Sequence, residues 1–221
     1  MGFSDELNQL YGQRILVTGA SGFVGSRLLT SQDALVQHVH FRAISRRSLE
    51  KSLPNVEQLL ITDISEKSDW SGALAGVDVV VHLAARVHVM DDRVSNPLEE
   101  YRSANVMSTL NLARQAARAG VKRFIFLSSI KVNGEKTDIG KPFTEESKVD
   151  PIDPYGISKL EAEEGIREIC KVTGMEYVFI RPPLVYGPGV KANFLKLMEL
   201  VKMHIPLPLK KITNRRSFFG S

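Results

Sequence analysis

Apolar residues come along this chain in short unbroken runs, separated by longer stretches with helical spacing. The run 14–20 (RILVTGA) ends in glycine, as a strand buried on both faces does. A helical pattern opens at about Phe23. Further strands are predicted over 40–45 (HFRAIS), 56–61 and 77–83 (VDVVVHL), the last the richest in β-branched residues. Residues 97–119 have the length and alanine content of a long helix, with Pro97 to open it and Gly120 to close it. A fifth strand follows over 122–129 (KRFIFLSS), then a polar loop to Pro154, a helix over 155–172, a sixth strand over 175–181 (MEYVFIR) and a last helix over 192–202. Strands that alternate with helices imply βαβ units, and right-handed crossovers then place helices on both faces of a parallel sheet.

Composition narrows this picture. At 221 residues, 43% hydrophobic and 24% charged, the chain is long enough to bury a core without disulfides. Its single cysteine, Cys170, predicts a reducing compartment and a packed small apolar group rather than a nucleophile. The polar start MGFSDELNQL is unlike a signal peptide, and no apolar run reaches membrane-spanning length, so the expectation is a cytoplasmic protein. The net charge of +4 is mild, its basic pairs are short and aromatics make up 7%, which disfavours a nucleic-acid surface. The histidines His38, His40, His82, His88 and His204 are joined by no Cys or carboxylate cluster, so no metal site is expected. Ser21 has Phe23 where a hydrolase elbow needs its second glycine, and Trp70 is expected to pack near a helix start.

Two stretches carry chemistry. Residues 18–25 (TGASGFVG) place Gly19, Gly22 and Gly25 three apart, after a strand and at the opening of a helix. Such a turn lets the backbone approach a pyrophosphate, whose charge faces the amides of the next helix. Ser21, Gly22, Phe23, Val24 and Gly25 are therefore candidate cofactor contacts. Where the second strand ends, an acidic residue would hold a ribose 2′-hydroxyl; here Ser45, Arg46 and Arg47 stand instead and favour a 2′-phosphate, hence NADP slightly over NAD. Second, Tyr155 and Lys159 lie four apart, on one face of a helix. A neighbouring ammonium favours the phenolate and is expected to lower the phenol's pKa, making it a proton acceptor. Ser128 and Ser129 close the fifth strand, where α/β sheets present their ligands.

These stretches, with HLAA (82–85), FLSS, VNG, YGISK and RPPLVYGPG (181–189), follow the order of the extended short-chain dehydrogenases/reductases. The chain resembles the nucleotide-sugar epimerase, dehydratase and reductase branch over essentially its whole length. The resemblance implies a Rossmann-type doubly wound sheet. Residues 1–180 would bind NAD(P), and 181–221 would begin a substrate-binding region whose remainder, a small C-terminal domain, is largely missing. It makes Tyr155 the acid/base, Lys159 its partner and a ribose contact, and Ser129 the group holding the reacting oxygen. Asp63 would meet the adenine beside Ile64. Leu83, Ala84 and Ala85 would line the cofactor, Arg86 would lie near the pyrophosphate and Pro182 near the carboxamide. Asn105 would fix the active-site loop. Lys131, Asn193 and Arg216 would serve the substrate, the last two gripping its diphosphate. The implied partners are a nucleotide-diphosphate sugar and a second copy of the chain.

Two positions depart from the family pattern: Leu184 stands where many epimerases have asparagine, and Asn133 where tyrosine is usual. Three readings stay open at this point. They are a UDP-hexose 4-epimerase, an NADPH-dependent 4-keto-sugar reductase, and a dinucleotide-binding module that is catalytically impaired. A steroid-type reductase of the same superfamily is disfavoured by Asn193 and Arg216, since an apolar substrate has no diphosphate.

Overall fold

The computed structural model describes residues 12–31, 38–49, 53–86, 96–138, 140–187, 199, 202–203 and 217–220. The chain divides into two compact units, Met1–Arg181 and Pro182–Ser221.

The first unit is built on a six-stranded parallel sheet. Its strands are β1 (Arg14–Thr18), β2 (His40–Ser45), β3 (Val56–Leu60), β4 (Val79–His82), β5 (Arg123–Leu127) and β6 (Glu176–Ile180). The helices are α1 (Phe23–Leu29), α2 (Ser71–Leu74), α3 (Pro97–Tyr101), α4 (Ser108–Arg118) and α5 (Pro154–Thr173). A π-helical turn, Arg102–Met107, joins α3 to α4. The strand order β3-β2-β1-β4-β5-β6 reverses direction between β1 and β4. That switch point opens a crevice at the carboxyl ends of the strands, where ligands of such sheets bind.

Alternation along each strand sorts the core into two layers. Leu16, Ile44, Val80, Phe124 and Phe126 face one cluster with Trp70, Leu74, Leu112 and Ile166. Val17, Ala20, Phe41 and Ala43 face another with Leu29 and Val39. Cys170 is a free thiol buried in the first. Trp70 is buried immediately before α2, as its position predicts.

Arg42 looks out of place in a central strand, yet it is buried. Its Nη1 donates to the carbonyls of Ala73 (2.8 Å) and Ala75 (3.0 Å), and Nε pairs with Glu57 at 2.9 Å. It thereby satisfies carbonyls at the end of α2 that have no intrahelical partner.

The predicted long helix starts at Pro97, capped by the Asn96 side chain, which accepts from the Glu99 amide. It ends at Arg118, but the π-helical turn interrupts it. The α5 helix is capped by Asp153 and closed by Gly174 at a φ of 76°. The expected helix at 192–202 lies almost wholly outside the described residues. In the second unit, Leu184–Tyr186 (β7) pairs in parallel with Phe218–Gly220 (β8).

Candidate active site

The glycine turn is set by close backbone packing. Gly19 has a φ of 69°, and a Cβ there would lie 2.8 Å from the Ala84 nitrogen. A Cβ on Gly25 would lie 2.4 Å from the Gly19 carbonyl oxygen and 2.9 Å from the Ala20 Cα. Both neighbours are backbone and have no rotamer to yield. Ser21 and Gly22 stay exposed, while Phe23 and Val24 are half-buried on α1. No side chain caps α1 and no carboxylate lies in its first turn. Its positive end is therefore uncompensated by acidic groups of its own. Gly25→Ala is expected to cost about 1–3 kcal/mol, the usual range for overpacking. Urea unfolding would measure it, and an unchanged midpoint would mean the turn is slack.

Beyond β2, the structure gives Ser45 to its own turn. The Ser45 Oγ is buried, donates to the Arg47 carbonyl (2.7 Å) and accepts from Gln58 Nε2 (2.9 Å). Gln58 Oε1 also accepts from the Leu49 amide at 3.2 Å, so one β3 side chain staples the turn. Arg46 and Arg47 project exposed beyond it. Asp63 is exposed, whereas Ile64 packs on the larger core cluster.

At the end of β4, His82 is buried between two threonines. Its Nδ1 lies 2.6 Å from Thr18 Oγ1 and its Nε2 2.8 Å from Thr109 Oγ1. The Ala84 amide donates to the same Thr18 oxygen at 3.3 Å. One ring thus joins β1, β4 and α4 at the switch point. Leu83 and Ala84 are half-buried and Ala85 is exposed.

Asn105, 1% exposed, sits in the π-helical turn. Its side chain accepts from the Arg86 amide (2.8 Å) and donates to the Arg86 carbonyl (3.0 Å) and to Ser158 Oγ (3.2 Å). It fixes the loop after β4 to α5, next to Lys159. The Arg86 guanidinium is paired with Glu100 at 2.7 Å on the surface.

Tyr155 stands in the first turn of α5, its ring edge-on to Tyr101 with centroids 5.9 Å apart. Lys159 is buried, with Nζ donating to the Leu127 carbonyl at 2.8 Å, 4.3 Å above the Phe126 ring centre and 5.9 Å from that of Tyr155. Ser129 caps the short 3-10 turn Ile130–Val132, its Oγ accepting from the Lys131 amide. Gly156 brings the two segments together, since a Cβ there would lie 2.9 Å from the Lys131 carbonyl oxygen. Lys131 itself pairs with the Asp153 carboxylate. Ser128 Oγ is buried without a partner among the described residues.

One expectation is corrected. The Tyr155 phenol is pushed up to about 12, first by burial, then by the charges of Asp153 and Tyr101. Desolvation thus outweighs any help from the lysine. Lys159 is itself drawn down to about 7 by burial, with Glu163 pulling the other way.

Pro182 opens the second unit. Asn193 and Arg216 lie outside the described residues, so the expected diphosphate grip is not seen. Sequence reasoning missed Gln58, Gly156 and the Thr18–His82–Thr109 bridge. Only the histidine before LAA offered a signal for any of them. The described residues hold no group of metal-ligating side chains, and none of their helices is long and apolar enough to cross a membrane.

With this geometry in hand, the relatives are informative. A UDP-glucose 4-epimerase from Vibrio cholerae is 49% identical over 206 residues, 92% of this chain and 61% of its own length. A 3 beta-hydroxysteroid dehydrogenase/Delta 5-->4-isomerase from Mycobacterium tuberculosis is 33% identical, covering 92% of this chain and 55% of that one. Among solved structures, a UDP-glucuronic acid 4-epimerase from Bacillus cereus, in complex with UDP-glucuronic acid and NAD, superposes with a TM-score of 0.75 at 27% identity, covering 94% of this chain and 69% of that one. The chain therefore spans about 60% of the length of the relative from Vibrio cholerae. The NAD dependent epimerase/dehydratase family matches residues 15–218, and it is to this family, with its parallel sheet and glycine turn, that the chain belongs.

Proposed function

We propose that this chain carries the cofactor-binding and proton-transferring part of an enzyme that epimerises a UDP-hexose at C4, with NAD as cofactor. One observation carries the reading: Tyr155 and Lys159 on α5, the Ser129 turn packed on them through Gly156, and the glycine turn all lie at the carboxyl side of one parallel sheet. The 49% identity to a UDP-glucose 4-epimerase, against 33% to a steroid enzyme, favours a sugar substrate.

The tight turn at Gly19 and Gly25 leaves Ser21 and Gly22 exposed, a fit for a dinucleotide pyrophosphate. When bound, NAD supplies the two-electron acceptor and donor. Tyr155 takes the proton of the sugar's C4 hydroxyl at its Oη. Lys159 stabilises the phenolate this requires and reaches the ribose hydroxyls. Ser129 donates from Oγ to the same sugar oxygen. Epimerisation needs the pair to return the proton after the keto sugar has turned its other face. Asp63, Ile64, Leu83, Ala84 and Ala85 would line the cofactor crevice, and Pro182, Asn193 and Arg216 would belong to the sugar side. We further propose a homodimer through α3–α4 and α5, and a monomer by light scattering would contradict it.

The NAD assignment replaces the lean towards NADP because the Ser45 hydroxyl is spent on its own turn. Arg46 and Arg47 remain the groups able to meet a 2′-phosphate. Mass spectrometry of nucleotide retained through purification is expected to find NAD, and added UDP-glucose or UDP-galactose to yield the absorbance of reduced nicotinamide. Protein that instead takes up NADPH to reduce a keto sugar is a reductase. Binding with no electron transfer would mark a binding module. Arg46→Asp is expected to weaken NADP at least tenfold and leave NAD nearly unchanged by titration calorimetry, since a phosphate contact counts about 1.5–3 kcal/mol.

A further inference from the structure

We propose that the chain Glu163–Arg181–Asn133, buried at both its ends, is the positioning network of this site: it clamps the helix of Tyr155 and Lys159 to the loop that Ser129 begins, and sets a carboxylate one helical turn beyond Lys159. The proposal rests on Tyr155 and Lys159 being the working pair named above.

The geometry is specific. Glu163 is fully buried, four residues beyond Lys159 on α5. Arg181, just past β6, holds it two-handed, with Nε donating to Oε1 at 2.9 Å and Nη2 to Oε2 at 2.5 Å. The remaining nitrogen, Nη1, donates to Asn133 Oδ1 at 3.3 Å. Asn133 is buried too, and its amide donates to the Ser147 carbonyl at 3.2 Å. Its backbone amide closes the 3-10 turn on the Ile130 carbonyl at 2.9 Å. Each end of the network therefore reaches one half of the site. Asn133, the departure from the family's tyrosine, supplies the acceptor that takes the last guanidinium donor.

An ion pair with one partner fully buried adds little net stability, so this one needs another use. The groups around Lys159 suggest it. On α5 these are Tyr155 and Glu163. From β4 comes neutral His82, and from β5 the Leu127 carbonyl and the Phe126 ring, while Tyr101 of α3 and Asp153 at the helix cap act on the neighbouring Tyr155 phenol. Glu163 is the carboxylate that raises Lys159 against its burial. Arg181 holds that carboxylate in place through both of its oxygens.

The test reads the lysine directly and needs no turnover. Protein labelled with 13Cε-lysine is titrated by NMR, with the Lys159 signal assigned by its loss in Lys159→Met. In Glu163→Gln the Lys159 midpoint is expected to fall by about one pH unit. Glu163→Gln/Arg181→Gln leaves neither charge orphaned, and its midpoint is expected to stay below that of the parent. An unchanged midpoint in folded Glu163→Gln overturns the proposal. So does recovery of the parent value in the double variant, which would trace the shift to an unpaired Arg181. For the clamp, Asn133→Ala is expected to speed amide exchange at Val132 and Asn133 at least tenfold, and unchanged exchange refutes it. Failure of the parent protein to bind NAD would sink the epimerase reading and leave these titrations standing.

Discussion

Tyr155→Phe is expected to reduce epimerisation by about 10²–10⁴-fold, the range for loss of a positioned acid/base, while NAD binding stays within about twofold. The substitution removes one oxygen and keeps the ring. The ring's edge contact with Tyr101 is therefore preserved, and so is the packing of the first turn of α5. Of the changes open at this site, it separates proton transfer from binding most cleanly. The raised phenol makes the point sharper. A group pushed up to about 12 is a poor base at neutral pH unless the lysine charge is brought to bear on it. Activity should therefore rise with pH across the range where the phenol deprotonates, and the variant's residual rate should lose that dependence. Stopped-flow absorbance of reduced nicotinamide with UDP-glucose gives the rate, and calorimetry gives the binding. Retained turnover in the phenylalanine variant would remove Tyr155 from the chemistry. Loss of NAD binding would instead assign it to the cofactor's grip.

Acid should destabilise the protein through His82. Burial, aided by the Lys159 charge, lowers its pKa to about 3, from about 6.5 in an unfolded chain. Above the unfolded value both states are neutral there, and the histidine adds no pH dependence. Below it the unfolded chain takes up a proton that the native ring refuses. Stability is then lost as pH falls from about 6.5 towards about 3, at a slope of up to about 1.4 kcal/mol per pH unit. Carboxylates add their own losses at the acid end, so the informative quantity is a difference. Urea unfolding from about pH 7 to about pH 4.5 should show a steeper decline for the parent than for His82→Gln. The glutamine has the donor and acceptor to meet the Thr18 and Thr109 hydroxyls but takes no proton. Parallel curves would show that His82 titrates normally and that its buried bridge opens below neutrality.

The parallel sheet was legible because its inner strands β1, β2 and β4 are largely buried and read as apolar runs. The 40–45 strand is observed with those limits, and 56–61, 122–129 and 175–181 shorten by one to three residues. The chemistry was legible where neighbours in sequence are neighbours in space, as at Gly19 to Gly25 and Tyr155 to Lys159. What could not be read depends on partners far along the chain. Nothing in the sequence signals that Arg86 pairs with Glu100 or Lys131 with Asp153. Arg42 likewise takes its carbonyl partners from α2, well beyond it in sequence. The phenol's pKa was misjudged because spacing reports the lysine and is silent on burial.

The wide turn at Arg102–Met107 sets the rotational phase of the helix beyond it. A regular helix advances about 100° per residue, so one surplus residue resets the phase of everything that follows. Upstream, Tyr101 is turned towards the Tyr155 ring. Downstream, Leu112, Ala113 and Ala116 are oriented for the sheet. Deleting a single residue from the turn would straighten the rod and swing one set out of alignment with the other. Keeping it holds the Tyr155 contact on one side of the dislocation in step with the interior on the other.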